Sequence, residues 1–263
     1  MIKACLRLLC RYRWIPIAVC APVCAVVVLW TAQVEGPLLF MVGFSLLVLL
    51  FAVMMSEFAG GQLIAFALRD FYKSCDPQPL LEETEAQLAM VKNKRYRSAL
   101  KINQGVAKIH LGQYAEALTE MEMLDLKAFG RIPMVSLIYY YNLTVAALLA
   151  KDGEKAEAYY RQTEACFPCL RDKEQRAAVQ RELSDLYAWL LIYQGKADEA
   201  LVQLPNYAED DAYHKVRRAF ILAQVALAKE EKSLARAQLR MVAVNGNRLY
   251  FAALAEQTLD QMD

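Results

Sequence analysis

The chain has 263 residues, 57% of them hydrophobic, with 30 basic and 29 acidic side chains. That balance leaves no basic excess of the kind that gives nucleic-acid binders their affinity, and seven unevenly spaced cysteines do not form the framework of a small disulfide-bonded secreted domain. Most of the apolar excess lies before Glu57; beyond it the strong helix formers dominate, and ten Gly and eight Pro leave few breaks, so the composition points to an all-α fold.

Residues 14–30 form an uncharged run, WIPIAVCAPVCAVVVLW, bracketed by two tryptophans of the kind that favour a membrane interface. Pro22 is internal, which membrane helices tolerate. Residues 37–55, PLLFMVGFSLLVLLFAVMM, are a second uncharged run. The spacing predicts two transmembrane helices at about 14–32 and 37–55, joined by a connector too short for more than a tight turn. Lys3, Arg7, Arg11 and Arg13 precede the first run, Arg69 and Lys73 follow the second, and the connector carries Glu35. By the positive-inside rule both termini face the cytoplasm. A cleavable signal peptide shares the basic-then-apolar pattern, but the second run would still anchor the chain.

Residues 62–73 continue as an amphipathic stretch in which Leu63, Phe66, Ala67 and Phe71 share a face; it lies on the membrane or begins the soluble part. The segment CDPQP at 75–79 breaks the helix. The predicted organisation is a membrane anchor over residues 1–75 and a helical domain over residues 78–263, with residues 82–92 a capping helix.

Four stretches of that domain align with one another: 105–118, 146–159, 188–201 and 223–236. Each opens on a small residue (Gly105, Ala146, Ala188, Ala223). A turn residue follows seven positions later (Gly112, Gly153, Gly195 and, in the fourth, Glu230), and an alanine five further on (Ala117, Ala158, Ala200, Ala235). Two antiparallel helices joined by a tight turn need small side chains where they cross, and a glycine ends the first helix in the left-handed conformation at little steric cost. Residues 248–262 form a last amphipathic helix suited to capping the open end of a stack.

These motifs, above all GQYAEAL at 112–118 and GKADEAL at 195–201, resemble the tetratricopeptide repeat. The resemblance covers roughly residue 97 to the C-terminus. The alanine spacings of 41, 42 and 35 residues depart from the family's usual 34, so the repeats are degenerate. It implies a tetratricopeptide-like α-solenoid whose first helices line a concave peptide groove. Aligned positions place Ile102, Val106 and His110 there from the first repeat, Tyr140 and Leu143 from the second, Asp185, Trp189 and Tyr193 from the third, and Arg217, Phe220 and Gln224 from the fourth. The Lys/Asn carboxylate clamp of chaperone-binding members has no counterpart, because Ile102 and Val106 stand at the matching positions.

Cys166 and Cys169 form a CxxC at the end of a predicted helix, where the dipole disfavours a thiolate; without a second pair or flanking histidines it lacks the four ligands of a zinc site. No phosphate loop, nucleotide fingerprint, HExxH or GxSxG occurs. The sequence therefore predicts no enzyme, no cofactor and no metal, but a membrane-tethered scaffold that binds a protein or peptide at the cytoplasmic face, makes lipid contact through the two spans and binds no nucleic acid. The other reading is a subunit of a pore or transporter in which the hairpin is the working part.

Overall fold

The computed structural model describes residues 6, 14–33, 38–129, 132–204 and 211–262. Regular structure among them is all helical, as the composition predicts. The chain divides into two compact units, residues 1–67 and 68–263.

The first unit holds α1 (Trp14–Gln33) and the larger part of α2 (Leu38–Ser74). Pro22 sits inside α1 without ending it. The Cys24 thiol donates to the Ser45 carbonyl at 3.8 Å, so the two helices meet there. Among the described residues no helix is long and apolar enough to cross a membrane. The described helices therefore lend the two predicted spans no support. The connector at 34–37 and the basic residues Lys3, Arg7, Arg11 and Arg13 lie outside the described residues.

The second unit begins within α2, at residue 68. The expected break follows at Cys75–Pro77, where Cys75 takes a positive φ of 55°. A short helix, α3 (Gln78–Met90), buries Leu80, Leu81, Thr84 and Gln87. Four helix pairs come next: α4 (Lys94–His110) with α5 (Tyr114–Glu122), α6 (Pro133–Leu149) with α7 (Gly153–Cys166), α8 (Lys173–Tyr193) with α9 (Ala197–Gln203), and α10 (Ala212–Ala228) with α11 (Lys232–Asn245). The chain ends in α12 (Tyr250–Met262). Asn93, Asp152, Asp172 and Asp211 cap the N-termini of α4, α7, α8 and α10 through their side chains, satisfying amides that the first turn leaves open.

One backbone device ends the first helix of every pair. Gly112, Lys151, Gly195 and Glu230 all have positive φ, between 59° and 85°. Each donates its N–H three residues back, to Ile109, Leu148, Ile192 and Leu227, and the next residue donates five back, to Lys108, Ala147, Leu191 and Ala226. This is the paired hydrogen bonding of a left-handed helix stop. Five residues after each stop stands an alanine with no exposed surface: Ala117, Ala156, Ala200 and Ala235. Seven before it stands a buried small residue: Gly105, Thr144, Ala188 and Ala223. At Gly105 the approach is so close that a Cβ would lie 2.4 Å from the Met121 sulfur.

The second pair corrects the sequence register by two residues. Its stop is Lys151, not Gly153, and the crossing alanine is Ala156, not the exposed Ala158. Ala146 is buried, but the crossing position is Thr144, whose hydroxyl is satisfied by the Tyr140 carbonyl at 2.8 Å. Gly153 opens α7 instead. It is small for space: a Cβ there would lie 2.3 Å from the Tyr193 ring.

The last helix does more than cap the fourth pair. The Tyr250 ring closes on the Gly112 turn, where a Cβ would approach it to 2.7 Å, and lies 5.5 Å from the Tyr114 ring. Phe251 lies 6.0 Å from His110 and stacks on Phe220 at 4.6 Å. The last helix thus reaches the first pair as well as the fourth.

The register makes a direct prediction. Ala156→Leu forces a larger side chain into a closed crossing and should destabilise the chain by about 1–3 kcal/mol, while Ala158→Leu should fall within roughly 0.5 kcal/mol of wild type. Urea unfolding of the full chain, followed by circular dichroism, distinguishes the two.

Candidate functional site

A cleft of about 300 Å³ lies among the first helices of the four pairs and the end of α2. Val106, Leu137, Ile138 and Val179 are among its apolar wall residues; Tyr72, Tyr141, Glu182, His214 and Arg217 are among its polar ones.

Arg217 organises the polar wall. Its side chain is only 4% exposed. Nη2 donates to Asp185 Oδ2 at 2.6 Å, and Nη1 donates to Glu182 Oε2 and to the Tyr141 hydroxyl, the latter at 3.0 Å. The Tyr141 O–H in turn donates to Glu182 at 3.2 Å. A buried guanidinium held by two carboxylates ties α8 to α10, and Tyr141 adds α6. Nε of Arg217 has no hydrogen-bond partner among the described residues.

His214 stands between two carboxylates. Nε2 lies 2.7 Å from Glu182 and Nδ1 2.7 Å from Asp211. Its ring stacks on Tyr72 at 5.5 Å and 6°. Burial opposes a charge on this imidazole, as does Arg217, but the bonds to Glu182 and Asp211 outweigh both and raise its pKa. Burial likewise opposes ionisation of Glu182, yet the Arg217 charge and the bonds from His214 and Arg217 hold its carboxyl far below the usual range.

His110 is the counterpart on the apolar side. It packs among Phe71, Tyr213 and Phe251. Nε2 meets the Tyr213 hydroxyl at 3.2 Å, and Nδ1 has no partner among the described residues. Burial, helped by the Arg217 charge, pushes its pKa down to about 3, so it stays neutral.

The structure sorts the residues expected in the groove. Val106, His110 and Arg217 line the cleft, and Asp185 supports it through Arg217. Ile102, Leu143, Trp189 and Phe220 are buried core residues, with Trp189 against Phe220 and Phe251 at 5.8 Å each. Tyr140 is half-buried beside Tyr139. Tyr193 does not border the cleft; its hydroxyl donates to the Lys151 carbonyl at 2.5 Å. Gln224 is half-buried and does not border the cleft. Phe251 of α12 and Phe71 of α2 fill the space the groove was expected to occupy.

Sequence reasoning missed Tyr72, Tyr141, Glu182 and His214. A signal was present for one of them, since Glu182 lies one turn before Asp185 on α8. Cys166 ends α7 near the core formed by Leu137, Leu170, Val179 and Leu183, and burial followed by the Cys169 charge raises its thiol pKa.

No family model, curated protein or solved structure matches this chain.

Two consequences are measurable. Arg217→Met removes the guanidinium from Asp185, which is 1% exposed, and from Glu182, and should cost about 3–5 kcal/mol; adding Asp185→Leu should recover part of the loss. Denaturant unfolding of the two variants reads both effects. The second concerns His110. A histidine with a depressed folded pKa contributes stability that is present above its unfolded pKa near 6.5 and lost as pH falls towards about 3. His110→Phe should therefore flatten the loss of melting temperature between pH 6.5 and 4.

Proposed function

We propose that this chain is a membrane-tethered adaptor of the tetratricopeptide-like kind, which holds a segment of a partner protein in the cleft on the inner face of its helix pairs. The observation that carries this reading is the cleft itself. It is bordered by the first helix of each pair, so one bound segment can touch α4, α6, α8 and α10 together. Its mixed wall of aliphatic side chains and partly buried polar groups suits a side-chain anchor better than a flat contact. The helix stops and crossing alanines support the family resemblance, since a tetratricopeptide-like pair needs both.

The membrane half of the reading rests on the two uncharged runs and on the surface of α1 and α2. Val19, Val23, Val26, Leu29 and Trp30 on α1, and Phe40, Leu47, Leu50 and Phe51 on α2, are each more than half exposed. So much apolar surface is unfavourable in water at roughly 25 cal/mol per Å² and favours lipid or another apolar partner. A tether at the cytoplasmic face would raise the effective concentration of the repeats toward membrane-proximal partners.

A photo-crosslinking amino acid placed at Ile138, on the cleft rim, should capture one specific protein in native membranes. The same group at Val202, which is 81% exposed on the second helix of the third pair, should not. Identical adducts from both positions would remove the cleft from the account.

A further inference from the structure

Cys166 and Cys169 stand at the junction between the second and third helix pairs. Cys166 is the last residue of α7, and residues 167–169 continue as one turn of 3-10 helix before α8 begins. The backbone keeps a helical course over that span. Its φ and ψ are −78° and −26° at Cys166 and −60° and −46° at Phe167, and the chain turns extended only at Leu170, at −72° and 127°. The Leu170 N–H donates to the Phe167 carbonyl at 3.1 Å and closes the turn. Pro168, with its fixed φ, stiffens it.

A helical turn holds residues three apart at a Cα separation of roughly 5–6 Å, with their side chains on the same side. A disulfide requires a separation of roughly 4.4–6.8 Å. The remaining approach of the two side chains falls to Cys169, the exposed last residue of the turn. The two thiols are neighbours in space, since the charge of one acts on the other, and both are free.

Their surroundings differ. Cys166 is half-buried and packs, with Phe167 and Met134, against the core of Leu137, Leu170, Val179 and Leu183. Cys169 borders an open depression of about 780 Å³ beside Arg171, Asp172 and Gln175. Of the described cysteines it is the exposed one, whereas Cys75 has no exposed surface. A reagent in solution therefore meets Cys169 first, with Cys166 held behind it.

We propose that Cys166 and Cys169 form a reversible disulfide, a redox-responsive modification site that locks the turn between α7 and α8, with a low-molecular-weight disulfide such as oxidised glutathione as the oxidant. The Cys169 thiolate attacks one sulfur of the oxidant. A mixed disulfide forms, and the first thiol leaves with the electron pair of the broken S–S bond. The Cys166 thiolate then attacks Cys169 Sγ and expels the second thiol. Two protein thiols are oxidised and one disulfide is reduced to two thiols, whose sulfurs take up, through solvent, the protons that Cys166 and Cys169 lose. Reduction by an external thiol at the exposed Cys169 must expel Cys166. Burial makes that thiol weakly acidic and so a slow leaving group, and the bridge persists once made. The locked turn carries Phe167 and Leu170 into a core whose Leu137 and Val179 also border the cleft. The site is independent of what the cleft binds.

Trypsin cuts after Arg161 and Arg171, so both cysteines fall in one peptide, residues 162–171, which holds no other cysteine. The full chain, folded or unfolded in urea, is equilibrated over a range of oxidised-to-reduced glutathione ratios, quenched in acid, blocked with N-ethylmaleimide in urea and digested. In the folded chain the peptide should pass from the doubly blocked form to an unblocked one lighter than the dithiol by two hydrogen atoms, and dithiothreitol should reverse the change. Conversion should need about tenfold less oxidised glutathione than in the unfolded chain, because the turn raises the effective concentration of one thiol at the other. Cys166→Ser should stop at a glutathione adduct on Cys169. Cys169→Ser, at an exposed position, should keep the melting temperature and leave Cys166 reduced. A glutathione adduct as the end product in the wild-type chain, or a bridge that forms no more readily in the folded chain than in the unfolded one, overturns the proposal.

Discussion

A guanidinium taken out of water is among the most expensive groups a protein can bury, and it persists only when its partners are in place before it. Arg217 imposes that condition on this chain. Asp185 and Glu182 must lie one turn apart on α8, Tyr141 must come from α6, and α10 must enter at an angle that brings its second turn beneath them. Three helix pairs are thereby set relative to one another by charge as well as by packing. The same network supplies the polar wall of the cleft, so the arrangement that fixes the pairs also determines what the inner face can recognise. His214 extends it to Asp211, the cap that starts α10, and by stacking on Tyr72 to the end of α2.

The pairs were legible because their chemistry is local. A left-handed stop followed by an alanine five residues on is a backbone requirement, and glycine at 112 and 195 announces it. The second pair was misread because a lysine holds the left-handed position there. Lys151 accepts a conformation that is unfavourable by roughly 1–2 kcal/mol for a residue with a Cβ, and Gly153 two residues later drew the alignment to itself. Nothing in the sequence marks Lys151 over Gly153; the two hydrogen bonds that close the stop do.

The groove was misread for a different reason. Periodicity gives the face of a helix but not what lies over it. Trp189 and Phe220 lie on the first helices of their pairs, yet Phe251 arrives from α12 and packs on both rings, and both are buried. Phe71 comes from α2 to stand beside His110. These contacts join residues about 30 to 60 positions apart, on different helices, and have no local signature. What remains open is the part of the inner face left between those two intrusions, which is why the cleft is lined by Tyr141, Glu182 and His214 rather than by the aromatic residues that stood out in the alignment.

The chain has two histidines, and they sit on opposite sides of the central network, so one experiment reads both. Side-chain NMR of the full protein, labelled on histidine and titrated from pH 3 to pH 9, should show His110 staying neutral until the pH approaches 3 and His214 titrating above the ordinary value near 6.5. That pair of results places one imidazole in an apolar cluster and the other between two carboxylates. Two ordinary titrations near 6.5 would mean that neither environment exists in solution, and the buried Arg217 network with its cleft would have to be abandoned.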